Sequence, residues 1–222
     1  MLQIALIIVL SYLVGSIPTS IIVGKVVFNK DIRNYGSGNA GGTNAWRTFG
    51  WKAGLFVMLV DVGKGVVATL FVSQLPAPDF FSYEAVQLIA GCAAVLGHIW
   101  TIFANFNGGK GVGTAAGMLL ALYPVAILIC LVLFGIMLVL TGIVSGGSLS
   151  AALALPIVLW IMDAAGWRMI SPTLFYFSIP IVILIFFTHR ENIKRLLNGT
   201  ENRFEKVRIF SRKNKWHADD AD

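Results

Sequence analysis

Apolar residues run through this chain in long unbroken blocks, without the alternating or one-faced patterns of soluble elements. A helix needs about 20 predominantly apolar residues to cross the hydrocarbon of a bilayer. Blocks of roughly that length recur up to Thr188. The first predicts a helix over about Leu2–Val23, with Pro18 near its inner end, and a polar, glycine-rich loop follows from Gly24 to Lys52. A second helix is expected over about Ala53–Leu75, carrying Asp61 and Lys64 in its first half. The loop Gln74–Glu84 has two prolines, two acids and no Lys or Arg, which marks it as an outside loop. A third helix, about Ala85–Phe103, returns the chain to a polar loop at Asn105–Gly113.

The stretch Val112–Leu140 is 29 residues long and is interrupted by Pro124. As one helix it would send the later helices, about Leu149–Met162 and Pro172–Thr188, into an arrangement that leaves the basic tail outside. Nine of the 17 Lys and Arg residues lie after His189, and cytoplasmic segments are the ones enriched in such residues. Two short spans turning near Tyr123 and Pro124 restore parity, with local bilayer thinning or burial among neighbours accommodating the short halves. The expected architecture is all-α: a polytopic transmembrane bundle of about seven spans, N-terminus outside and C-terminus cytoplasmic. Ala165–Arg168 becomes an outside turn. Residues 1–205 form a single membrane domain, and 206–222 form a polar cytoplasmic tail.

Composition supports this picture. Hydrophobic residues make up 57% and charged residues 13%, against about 25% charged in soluble domains, so no separate soluble domain fits. The first block has no cation before Lys25 and no small-x-small cleavage site, so it is expected to be a retained helix and not a signal peptide. The net charge of +6 is concentrated in the expected cytoplasmic segments, with five cations from Lys25 to Lys52. That placement argues for loop orientation and against nucleic-acid binding. Cys92 and Cys130 sit in apolar runs and imply no disulfide framework. His98, His189 and His217 are far apart, and no CxxC or HExxH occurs, so no metal site is expected.

Four polar segments carry candidate chemistry. The first, GSGNAGGTNAWR from Gly36 to Arg47, combines anion-accommodating glycines with Ser37, Asn39, Thr43 and Asn44 and the planar fork of Arg47. The second follows His98 and contains Gly108, Gly109, Lys110 and Gly111. It lacks the first glycine and the Ser/Thr of a nucleotide-binding P-loop, which disfavours a triphosphatase. A lysine in a loop entering a helix N-terminus remains, and that arrangement binds a phosphate without a metal. The third, Ser145 to Ser148, is a run of small residues at a helix start that, taken alone, fits close helix packing better than ligand binding. The fourth runs from His189 to Glu201. Its His189, Asn192 and Arg195 are three apart and share one helix face. Asp61 and Lys64 can pair and are expected to support the site. The HxxxxD dyad of some lipid acyltransferases is absent, since Phe103 and Lys194 stand five residues after His98 and His189.

Taken together, the GSGN…G.TN…R, GH….F..F.GGKGV.T and HR.NI.RL..G.E segments, in that order over about residues 10–205, resemble the bacterial acyl-phosphate:glycerol-3-phosphate acyltransferases. The resemblance implies a seven-span enzyme of the bacterial cytoplasmic (inner) membrane with its motifs on the cytoplasmic side. It implies transfer of a fatty acyl group from acyl phosphate to the 1-hydroxyl of sn-glycerol 3-phosphate. The products would be lysophosphatidic acid and phosphate, in phospholipid biosynthesis, with no cofactor. On this basis the donor phosphate is expected at the Gly108–Gly113 loop. Glycerol 3-phosphate is expected at Arg47 and Lys110, helped by Ser37, Ser148 and Asn192, with the acyl chain between helices and open to lipid. Catalytic candidates are His189, His98, Asn192 and Lys110. Binding candidates add Asn39, Asn44, Gly108, Gly109, Gly111, Ser145, Arg195 and Glu201. The base could be His189, His98 or a substrate phosphate oxygen. A transporter of a phosphorylated solute, using the same loops, is the competing expectation from a different class.

Overall fold

The computed structural model of the chain describes residues 1–167 and 171–204. The expectations for Arg168, His217 and the tail 206–222 lie outside the described residues. Within them the chain is helical, without a strand. The expected first helix is two helices, α1 (Leu2–Ser16) and α2 (Thr19–Phe28). Pro18 cannot donate to a helical ladder and its ring crowds the preceding turn, which breaks the helix at Ile17–Pro18. The expected first loop contains another helix, α3 (Gly42–Phe49). Its glycine-rich start and eight-residue length conceal it in the sequence. Next come α4 (Trp51–Leu70) and α5 (Tyr83–Ile99), the latter capped by the Ser82 hydroxyl, which accepts from Ala85 N at 3.2 Å.

Val112–Leu140 divides where the proline indicated. Helix α6 (Val112–Leu122) ends at Tyr123, and α7 (Pro124–Thr141) begins with Pro124 in its first turn, where a missing N–H costs nothing. Helices α8 (Val144–Ala164), α9 (Pro172–Thr188) and α10 (Arg190–Leu197) complete the order. Among the described residues, five helical segments are long and apolar enough to cross a bilayer, or six if α9 and α10, bent by 62°, count as one broken span. At eleven residues α6 falls short of that length. A count of seven therefore depends on α6 crossing a locally thin or protein-lined region.

Small residues set the helix spacing, since lipid tails provide no hydrophobic drive between helices and close backbone contact must hold them. Gly15 on α1 lies against the Ala94 backbone of α5, and Gly97 on α5 lies against Tyr12 O of α1; a Cβ at either would collide with the other helix. The same reciprocal contact joins α4 to α6, where Gly65 meets Thr114 O and Gly117 meets Val62 O. Beside this tight half, larger apolar side chains of α5 to α9, including Leu88, Met118, Leu159 and Leu174, form the main core. Close packing of α4 on α6 brings Asp61 beside the N-terminus of α6, and this junction becomes one wall of the site.

Candidate active site

A cavity of about 260 Å³ lies where the polar segments converge. Ser37, Asn39, Thr43, Asn44, Arg47, Lys110, Ser145, Ser148, His189, Asn192 and Glu201 all line it, with Asp61 and His98. Four segments spread over most of the chain thus contribute to one space. Gly108, Gly109, Gly111 and Arg195 stand behind this lining.

Gly108 and Gly109, expected among the binding residues, do not offer their amides to a ligand. Gly108 N donates to Ile99 O at 3.1 Å and Gly109 N donates to His98 O at 3.0 Å, so both donors are spent on the chain itself. These glycines instead permit contact: a Cβ at Gly108 would collide with His98 O, and one at Gly109 with His98 Nε2. Gly111 occupies the left-handed region, φ 81°, and caps α6, a conformation that costs glycine little. The donors available to an anion are those of the first turn of α6, whose Val112 and Gly113 line the cavity beside Lys110. On another wall Gly41 caps α3, and Gly41, Gly42 and Thr43 face the same cavity with Arg47 one turn on. Two helix N-termini, each with a cation, therefore address one space.

Asn44 is only 1% exposed and fully engaged. Its Oδ1 accepts from Ser37 N at 2.9 Å, and its Nδ2 donates to Ile32 O, Tyr35 O and Asn39 O at 3.3, 2.9 and 3.1 Å. It shapes the first segment from within, leaving Ser37 and Asn39 as the groups with free capacity. Glu201 has a similar role. Its Oε1 accepts from Ser145 at 3.0 Å and Asn192 at 2.7 Å, and its Oε2 accepts from Arg195 at 2.7 Å. Burial raises the pKa of Glu201, but the hydrogen bonds from Arg195, Asn192 and Ser145 outweigh it and hold the carboxyl below its ordinary range. Lys110 donates to Asn192 Oδ1. Burial pushes the Lys110 ammonium down to about 8; Glu201 opposes this, and Arg195 and Arg47 add to it.

His189 is 3% exposed, and its Nδ1 lies 2.8 Å from Ile185 O. A carbonyl can only accept, so Nδ1 carries the proton, and in the neutral ring Nε2 keeps its lone pair. Arg47 donates to Asn202 O at 3.4 Å and stacks over Phe204 at 4.5 Å. Neither partner has a sequence signal, because nothing local places residues 202 and 204 beside α3. Among the described residues no group of three or more His, Cys, Asp or Glu side chains is placed to hold a metal ion.

An apolar groove adjoins the cavity, lined by α6, α7, α8 and α9. Val112, Ala116, Leu131, Phe134 and Ser148 belong to both spaces. The groove continues past Ala115, Ala151 and Ala152 to Leu119, Ile127, Leu155 and Ile181.

Fold and site together define an integral membrane protein with a polar cavity, lined by Arg47 and Lys110, that opens onto an apolar groove. The family model described as glycerol-3-phosphate acyltransferase matches residues 5–199. The chain belongs to that family. A glycerol-3-phosphate acyltransferase of Chlorobaculum tepidum is 45% identical over 96% of this chain and 100% of its own length. One from Chlorobaculum parvum is 44% identical over 91% of this chain and 97% of its own. Crystal structures of PlsY (YgiH), an integral membrane glycerol 3-phosphate acyltransferase, superpose with TM-score 0.74 at 34% identity in the glycerol 3-phosphate form. The lysophosphatidic acid form gives 0.73 at 32%; each covers 90% of this chain and 95% of PlsY. Family membership displaces the transporter alternative.

Proposed function

We propose that the protein transfers a fatty acyl group from acyl phosphate to the 1-hydroxyl of sn-glycerol 3-phosphate. The observation that carries the donor assignment is the pair of helix N-termini with Arg47 and Lys110 on one small cavity. Both proposed substrates present a phosphate, and two anion sites suit two phosphates. The α6 end with Lys110 takes the donor phosphate, and Arg47 with the α3 end takes glycerol 3-phosphate, Ser37, Asn39, Ser148 and Asn192 adding neutral partners. The acyl chain lies in the adjoining groove. The hydroxyl oxygen attacks the acyl carbonyl, the bond from that carbon to the phosphate oxygen breaks, and phosphate leaves. The hydroxyl proton passes to His189 Nε2 or to a phosphate oxygen. Because the donor is already activated, proximity and fixed charge supply most of the acceleration.

The same reading places the protein in the bacterial inner membrane as seven spans, with the N-terminus and Pro76–Pro78 outside. Asn39, Gly109 and the tail then face the cytoplasm. Single cysteines at these positions should label from the matching sides; outside labelling of the tail would reject this orientation. For the reaction, purified protein receives glycerol 3-phosphate with acyl phosphate, acyl coenzyme A or acyl carrier protein. Phosphate and lysophosphatidic acid should form with acyl phosphate. Product from the thioester donors alone would overturn the donor assignment.

A further inference from the structure

Behind the glycine loop lies a polar cluster that phosphate binding leaves unexplained. Asp61 and Lys64 on α4 and His98 near the end of α5 are each less than a tenth exposed, although both helices are predominantly apolar. Lys64 Nζ meets Asp61 Oδ1 at 2.7 Å, donates to Ile17 O at 2.8 Å and lies 3.4 Å from His98 Nδ1. The Ile17 carbonyl stands at the proline break, where Thr19 N reaches it at 3.0 Å from two residues on and the i+4 donor of a helical turn is missing, Ile21 N going to Pro18 O. An ammonium has three N–H groups and no lone pair, so these contacts use its full set, and the third requires Nδ1 to accept. Asp61 Oδ1 is 3.6 Å from that nitrogen, beyond hydrogen-bond reach.

With Nδ1 accepting, the His98 proton sits on Nε2. That nitrogen lies against Gly109: a Cβ there would collide with Nε2 and come within 2.9 Å of Ala40 O. The His98 backbone carbonyl meanwhile accepts from Gly109 N at 3.0 Å. We infer that His98 is a positioning residue whose tautomer is set by Lys64, presenting an Nε2–H donor beside the Gly108–Lys110 loop and not a basic lone pair. The two cavity histidines thus hold opposite tautomers, His189 with Nδ1 protonated and His98 with Nε2 protonated. His98 is therefore removed from the candidates for general base, and the Asp61–Lys64 pair gains a purpose beyond joining helices. The role in catalysis rests on the cavity being the acyl-transfer site; the tautomer does not.

Two measurements separate these parts. Nitrogen-15 spectra of histidine-labelled protein in lipid should show His98 with a protonated Nε2 and a bare Nδ1, and His189 the reverse. Signals are assigned from His98→Gln, or by elimination from His189→Gln and His217→Gln if that variant fails to fold. A protonated Nδ1 on neutral His98 would overturn the inference whatever the reaction proves to be. In turnover, a Gln carboxamide reaches the Nε2 position and an Asn carboxamide only the Nδ1 position. His98→Gln should therefore keep kcat/KM within about tenfold, while His98→Asn loses about 100-fold, the scale of a misplaced binding group. Equal losses in the two variants, both folded, would reject the positioning role while leaving the tautomer to the spectra.

Discussion

Asn192 joins Lys110 to Glu201: its carboxamide oxygen accepts from the Lys110 ammonium, and its nitrogen donates to the Glu201 carboxylate at 2.7 Å. The lysine of the second segment is thereby held by the helix of the fourth. Thr188 reinforces the link by donating to Lys110 O at 3.1 Å. A flexible cation becomes a fixed one, which is what a site that stabilises charge requires.

Lys110→Ala and Arg47→Ala should each lower kcat/KM by about 100-fold or more, the scale of losing one charge-stabilising donor. Arg47→Lys should recover only part of that, because an ammonium lacks the planar fork. Steady-state kinetics on folded, membrane-inserted variants check this. Near-wild-type values for either alanine variant would exclude that residue as a phosphate ligand.

The buried ammonium also gives a pH dependence. Lys110 titrates near 8 in the free protein, and only its cationic form attracts phosphate. Affinity for the phosphate it serves should therefore be full below about pH 7 and fall as pH rises through 8. Bound phosphate raises the lysine pKa, so the limb should appear in kcat/KM at lower pH than in kcat. Lys110→Arg should move the limb out of the accessible range. A kcat/KM profile flat from pH 7 to 9.5 in the wild type would contradict this.

Breaking the Asp61–Lys64 pair from one side strands a buried charge. Lys64→Met or Asp61→Leu alone should cost about 3–5 kcal/mol of stability. The double variant should regain much of it, since two apolar side chains leave no orphan charge. Activity should not return with it, because nothing then sets the His98 tautomer. Thermal unfolding in detergent, paired with turnover, tests both halves; a double variant as unstable as the singles would show that Lys64 matters through Ile17 O and not through Asp61.

The long apolar blocks made the membrane helices legible, and Pro124 marked the α6–α7 division, because both signals are local. Pro18 was visible too, but only the structure shows it ending α1 and releasing Ile17 O to Lys64. Three of the four polar segments were identifiable as site-forming by their residue types, while Ser145–Ser148 by itself reads as helix packing and joins the cavity only in three dimensions. The division of labour within the segments was not legible. Asn44, Glu201, Gly108 and Gly109 resemble ligands in the sequence, yet their polar groups are consumed internally, a property of three-dimensional neighbours. Helix α3 escaped notice because it is only eight residues long and opens on glycines, which are poor helix formers. Phe204 reaches Arg47 across most of the chain, and no pattern near either residue announces it.

The groove beside the cavity makes a last prediction, about chain length. Ser148 belongs to both spaces, and Ala152 and Leu155 follow it on α8 along the groove wall. At about 1.5 Å of rise per residue, Ala152 lies about 6 Å and Leu155 about 10 Å beyond Ser148. If the donor's acyl chain occupies this groove, a phenyl ring at Ala152 obstructs it partway while leaving the polar cavity intact. Ala152→Phe should then reduce kcat/KM for long-chain relative to medium-chain acyl phosphates by about tenfold or more, since each excluded methylene forfeits part of its binding. The KM for glycerol 3-phosphate should stay unchanged. Leu155→Ala, which lengthens the groove, should shift preference the other way. An Ala152→Phe enzyme that is folded and keeps the wild-type chain preference would place the acyl chain elsewhere among the helices.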